Sequence, residues 1–213
     1  HGDTLTTLAS ALSAKLTNNK VIHLESGLTS KKLLSPFPEE MIRRIVFRTT
    51  DIACCPTQKD FDHIKKHYSK TTALNTFGNT IIDSINLLKI NKSNISESQV
   101  SIVVSIHRFQ NIYNKERLSE ISKMLNTLSE KYILNFVLHP ATEKKLKKFN
   151  LFNDLKNNKR INLLPRMTYQ HFLKLALDSN VVITDGGSNQ EELAFFGHPT
   201  VILRDYTERQ DGI

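Results

Sequence analysis

The sequence predicts an α/β protein with parallel sheets and two Rossmann-like domains, and three features carry that expectation. From Val100 onward, short apolar runs bounded by turn residues alternate with segments of helical spacing. The stretch Val181 to Pro199, VVITDGGSNQEELAFFGHP, contains most of a βαβ unit by itself. Its apolar opening (Val181, Val182, Ile183) breaks at Asp185-Gly186-Gly187-Ser188, resumes helically at Leu193, Phe195 and Phe196, and stops at Gly197 and Pro199. Thr200 to Leu203 then supplies the next strand. The third feature is Gly78-Asn79, a hinge that divides the chain into residues 1–78 and 79–213.

In order, a helix runs through Leu8, Leu12 and Leu16, and Val21 to Leu24 is a short strand ending in Glu25-Ser26-Gly27. Pro38 and the acids Glu39 and Glu40 open a helix through Met41, Ile42, Ile45 and Val46. Asp51 to Cys55 reads as a strand, Gln58 to Tyr68 as a helix and Ile81 to Leu88 as another. Lys89 to Gln99 is a polar linker rich in serine and asparagine. The second domain then reads strand Val100 to Ile106, helix Lys115 to Lys131, and strand Ile133 to Leu138. Helix Thr142 to Phe149, strand Ile161 to Leu164 and helix Tyr169 to Leu177 lead into the βαβ unit.

Composition narrows the function. At 213 residues, 39% hydrophobic and 23% charged, the chain suits a soluble globular protein, and no apolar run approaches membrane-spanning length. No basic-then-apolar leader is visible, so a cytoplasmic location is expected. The net charge of +8 would suit nucleic acid. The lysines are scattered over helix faces, however, without interleaved aromatics, which favours a solvated surface that attracts small anions. Cys54 and Cys55 are adjacent with no further cysteine, so a reduced pair is expected and zinc is not.

The glycine turn at Gly186, Gly187 and Ser188 opens a helix, leaving backbone N–H groups and the positive helix end available to phosphate. Glu192, in the first turns of that helix with Glu191, could accept hydrogen bonds from sugar hydroxyls. Asp3, Glu25 and Glu39 fall near strand ends or helix starts, where carboxylates can serve as acid and base. Asp3 and Glu39 also read as helix caps or solvated acids. Glu25, after a buried strand, has no capping duty. His107 with Arg108 could meet a diphosphate or shuttle a proton, or could be a surface histidine. His139, beside Pro140, reads as a turn residue, and His23 as a satisfied core histidine.

The motifs HGDTLTT, HLESGL, SPFPEEMIRR, FGNTIID, SIHR, TDGGSNQEE and RDYTER occur in this order. Together they resemble the non-hydrolysing UDP-N-acetylglucosamine 2-epimerase family across the whole chain. The resemblance implies the two-domain glycosyltransferase-B architecture, here without part of the N-terminal domain and a C-terminal tail. It places catalytic groups at Asp3, Glu25, Glu39 and His107, the UDP turn at Gly186 to Ser188, the ribose glutamate at Glu192 and a diphosphate arginine at Arg209. It implies a UDP-sugar substrate, no metal or nicotinamide, a homodimer, and a role in surface polysaccharide synthesis. The family's Asp-Ser-Gly-Gly turn is Asp-Gly-Gly-Ser here, and its His-Arg-Arg-Glu-Asn segment is His107-Arg108-Phe109-Gln110-Asn111. In bacterial members that segment also touches a second, activating substrate molecule. Thr29 and Gln210 replace a common arginine and proline. A hydrolysing relative that releases free sugar, or a non-catalytic UDP-sugar-binding paralogue, remains open. Product analysis separates these readings.

Overall fold

A computed structural model describes residues 1–30, 37–88, 90 and 100–204. The chain divides into two compact units, His1–Ser84 and Ile85–Ile213. The hinge expected at Gly78-Asn79 precedes helix Thr80–Leu88, and the divide falls within that helix. The expected Lys89 to Gln99 linker, apart from Ile90, and Asp205 to Arg209 of the RDYTER motif lie outside the described residues. Among the described residues no helix is long and apolar enough to cross a membrane.

The first unit runs α1 (Leu5–Leu16), β1 (Ile22–His23), α2 (Glu39–Thr49), β2 (Ile52–Cys55), α3 (Gln58–His67) and β3 (Thr72–Asn75), followed by α4 (Thr80–Leu88). Its strands pair in parallel in the order β1-β2-β3. Ala11, Val21, Ile42 and Val46 pack α1 against α2, and Phe47, Ala53, Cys55 and Ile64 pack α2 and α3 against the sheet. Thr4, not Asp3, caps α1: its hydroxyl accepts the Thr7 N–H, which leaves Asp3 available for another partner.

The second unit runs β4 (Ser101–Ser105), α5 (Phe109–Ile112), α6 (Lys115–Ser129), β5 (Ile133–Val137), α7 (Pro140–Lys148) and α8 (Phe152–Asn157). It continues with β6 (Ile161–Leu164), α9 (Tyr169–Leu177), β7 (Val181–Thr184), α10 (Gly187–Phe195) and β8 (Thr200–Ile202). All strands are parallel, in the order β6-β5-β4-β7-β8. The core lies between this sheet and its helices, centred on Val104, Ile106, Leu118, Leu125, Leu134, Phe136 and Leu146. β4 feeds β5 on one side and pairs with β7 on the other, so strand order reverses between β4 and β7. Open α/β sheets bind ligands in the crevice beyond such a reversal. Pairing of Ser105 with Thr184 sets the loops after β4 and β7 side by side there.

Short elements escape the sequence reading. β3 is a shallow strand of mixed polarity, α5 is a single turn, and α8 is confined to Phe152–Asn157. None offers enough residues for a period to show.

Candidate active site

In the second unit, the loop after β4 carries His107 and Arg108, and the loop after β7 carries Asp185, Gly186 and Gly187. Asp185 joins them. Its carboxylate is 0% exposed and accepts the His107 N–H at 3.0 and 3.1 Å, the Arg108 N–H at 2.9 Å and the Asn111 amide at 2.8 Å. His107 Nδ1 lies 3.3 Å from the same carboxylate. A proton on Nδ1 would be favoured by that carboxylate, and Nε2 would then be the nitrogen available to exchange one. In the sequence Asp185 marks only the point where the apolar run breaks, and this clamp is not among the expectations. Its position after an apolar strand was visible, but the direction of its side chain was not.

Gly186 is needed for close approach. A Cβ there would come within 2.6 Å of Asn189 Oδ1 and 3.4 Å of the His107 ring, so the histidine stands over the turn. α10 begins at Gly187 behind a Gly186 N-cap with no side-chain hydrogen bond, so its first N–H groups receive none from a cap. Gly187 is buried and Ser188 exposed at this helix start. Thr184 Oγ1 accepts the Gly186 N–H at 3.0 Å and donates to Asn189 Oδ1 at 3.0 Å, fixing the turn from beneath.

Glu192, on the same helix, is 2% exposed. Asn189 donates to it at 3.0 Å, and the Tyr169 hydroxyl donates from α9. Burial raises its pKa above the ordinary carboxylate value, against the lowering effect of these two neutral donors. Burial, then the Glu192 carboxylate, raises the pKa of the Tyr169 phenol in turn.

Two further basic groups gather at the strand ends. His139 caps α7 by accepting the Ala141 N–H at 3.2 Å, the structural turn role expected of it. Its ring also sits 5.8 Å from that of His107, so it faces the crevice as well. Burial, then His107, then Arg166 after β6 lower its pKa.

In the first unit, His23 is a buried core histidine whose Nε2 is 2.9 Å from Gly2 O and whose Nδ1 is 3.0 Å from Ser26 Oγ. Burial lowers its pKa, so the neutral ring donates to Gly2 and accepts from Ser26, bridging the segments that hold Asp3 and Glu25. Glu25 sits at φ 55°, a left-handed conformation unusual for glutamate. It is fixed by Asn79 Nδ2 at 3.1 Å and His1 Nε2 at 3.2 Å. Gly27, two residues on, has φ +100°, and a Cβ would come within 2.6 Å of Asp60 O at the start of α3.

Asp3 pairs with Arg43 at 2.5 Å, and Arg43 reaches on to Glu40 at 3.6 Å. Glu40 is the organiser that the sequence reading passed over in favour of Glu39. It is 0% exposed and accepts from Thr29 Oγ1 at 2.6 Å, the Ser30 N–H at 3.1 Å and Arg44 Nε at 3.0 Å. Burial alone would raise its pKa, but Thr29, Ser30, Arg44 and Arg43 together hold it below the ordinary value. Glu39, beside it at the start of α2, is half-buried, and its Oε2 is sealed from solvent with no hydrogen-bond partner among the described residues. Arg209 lies outside the described residues.

Comparisons with known proteins match the chain over its whole length. The family model described as UDP-N-acetylglucosamine 2-epimerase matches residues 1–213. The chain belongs to the UDP-N-acetylglucosamine 2-epimerase family. The UDP-N-acetylglucosamine 2-epimerase of Methanococcus maripaludis is 35% identical over 99% of this chain and 60% of its own length. That of Methanocaldococcus jannaschii is 34% identical over 100% of this chain and 61% of its own. The chain therefore spans about 60% of the length of these relatives. Among solved structures, the Methanocaldococcus jannaschii enzyme in complex with UDP-GlcNAc and UDP superposes with a TM-score of 0.83 at 33% identity, covering 98% of this chain and 60% of that one. The Neisseria meningitidis enzyme bound to UDP-GlcNAc gives 0.81 at 27% identity, covering 98% and 59%.

Proposed function

We propose that the protein epimerises C2 of a UDP-N-acetylhexosamine, interconverting UDP-GlcNAc and UDP-ManNAc or a related pair. The observation that carries this reading is Glu192. A buried carboxylate with two neutral donors and a raised pKa has spare acceptor capacity, and sugar hydroxyls are the donors it lacks. It stands on the helix whose glycine start is open to phosphate, so one short segment suits both ribose and diphosphate. The complexes of the Methanocaldococcus jannaschii and Neisseria meningitidis relatives with UDP-GlcNAc support the substrate class.

In the proposed reaction a base takes the C2 proton, and the C–H electron pair becomes a C1–C2 double bond. The C1–oxygen bond breaks with its electrons on UDP, giving a 2-acetamidoglucal. A proton then returns to the opposite face of C2 and the UDP oxygen re-forms the bond to C1. His107, with Nε2 free above Gly186, and the carboxylates of Asp3, Glu25 and Glu39 supply the proton-transferring groups. UDP must be retained while detached. The Gly187 helix start, Ser188 and Arg209 stabilise the charge that develops on its diphosphate.

The full-length protein given UDP-GlcNAc in D2O should form UDP-ManNAc and exchange the C2 hydrogen for deuterium, both visible by proton NMR. Glu25→Gln and His107→Ala should each lower turnover roughly 100- to 10,000-fold, the usual worth of a positioned acid or base. Release of free sugar instead of epimer would identify a hydrolase. Near-normal rates in both variants would overturn the assignment of these residues.

A further inference from the structure

The first unit holds a cavity of about 600 Å³ between α2 and α3, lined by none of the residues assigned above to the reaction. Its walls are basic. Arg44 and Arg48 stand one turn apart on α2, His63 and His67 one turn apart on α3, and Lys70 follows in the loop to β3. Residues at i and i+4 share a helix face, so both pairs project into the same groove.

The floor is rigid and partly aromatic. Tyr68 meets buried Phe47 edge-on at 5.4 Å, and His63 lies 6.0 Å from the Tyr68 ring. The His63 and His67 rings are 4.9 Å apart. Arg48 donates to Arg44 O at 3.2 Å, a contact that positions it without neutralising it. Arg44 gives its Nε to buried Glu40 and also lines the cavity. No carboxylate lines the cavity, and Lys70 has no ion-pair partner among the described residues. Arg44 is already paired with Glu40, but Arg48 and Lys70 have no ion-pair partner among the described residues, and a multivalent anion would relieve the repulsion between them. The volume lies within the range for small-molecule pockets. A planar guanidinium fork beside an ammonium group suits phosphate oxygens in particular.

We infer that this groove is a binding site for a small phosphorylated ligand carrying a phosphate or diphosphate group, separate from the UDP-binding turn proposed in the second unit. Tyr68 and the histidines would donate to the same oxygens that Arg44, Arg48 and Lys70 neutralise.

The test follows the C2–H proton resonances of His63 and His67 in the intact protein, assigned by single His→Gln substitutions, while inorganic pyrophosphate is added. Saturable shifts of both resonances are expected, with binding at least tenfold weaker in Arg48→Gln/Lys70→Gln. Both side chains are exposed, so the fold should survive. If the double variant does not fold, Lys70→Gln alone should still weaken binding several-fold. Shifts that drift without saturating, or that sodium chloride of equal ionic strength reproduces, would overturn the proposal. So would saturable binding that the substitutions leave unchanged. UDP added in parallel should move His107 and His139. Loss of that response with the pyrophosphate response intact would sink the UDP reading and leave this one standing.

Discussion

Two glutamates, one in each unit, are buried to the same degree and behave in opposite ways. Glu40 is 0% exposed and Glu192 is 2% exposed, and burial works to raise the pKa of both. Two arginines, a hydroxyl and a backbone N–H surround Glu40, and its pKa falls. An amide and a phenol attend Glu192, and its pKa rises. The contrast shows that burial does not decide the role of an acid; the charge of its partners does. Glu40 is complete as it stands and holds loop and helix together. Glu192 is left short of partners, the arrangement expected of a side chain that waits for a ligand.

The comparison can be broken most sharply at Glu40. Replacing it with alanine would take from Arg44 its carboxylate and from Arg43 the second of its two, Asp3 being the other, at a cost of about 3 kcal/mol. Urea unfolding followed by a probe in α2 would measure this, and a loss below about 1 kcal/mol would remove Glu40 from its organising position. Next comes Gly27→Ala, which forces a Cβ against the Asp60 backbone at a φ that disfavours it. Roughly 2–3 kcal/mol should be lost there by the same measurement. Glu192→Gln should do the reverse of Glu40→Ala. Stability should stay within about 0.5 kcal/mol, while UDP binding by calorimetry weakens about tenfold, or 1.4 kcal/mol. Unchanged UDP affinity would deny Glu192 its ribose.

The smallest effect is on pH dependence, and its sign differs between the units. Glu40 has a depressed pKa when folded, so its contribution is full above about 4.3, the unfolded value, and is lost as pH falls through the folded pKa. Glu192 has a raised pKa, so its contribution is full below about 4.3 and is lost as pH rises through the folded value. Hydrogen exchange across this range should show α2 amides less protected on acidification and α10 amides more protected. The slope cannot exceed about 1.36 kcal/mol per pH unit for one proton. Parallel slopes in the two helices would erase the distinction.

Much of this architecture was legible in the sequence where apolar periodicity was long enough to speak. β6 at Ile161–Leu164 and α9 at Tyr169–Leu177 fall where the pattern placed them. β3 was not legible, because Thr72-Ala73-Leu74-Asn75 lies partly exposed and carries no apolar run. Residue type and position, at a strand end for Glu25 and His107 and on a glycine-started helix for Glu192, drew attention to these three as candidates. Partner choice was not legible. Nothing in Glu39-Glu40 says which of two adjacent acids turns inward to the arginines; that follows from α2 packing against the Thr29 hydroxyl and the Ser30 N–H. Asp3 likewise looked like a cap until Thr4 took that role and Arg43 claimed the carboxylate.

The Asp185 clamp ties the fate of two loops together. Because one carboxylate holds the backbone of His107 and Arg108 while belonging to the strand end that starts α10, neither segment can shift alone. Any drift of the His107 ring would drag the Gly186-Gly187 turn with it. Under the proposed function, a change at either loop would therefore register in turnover and in affinity together.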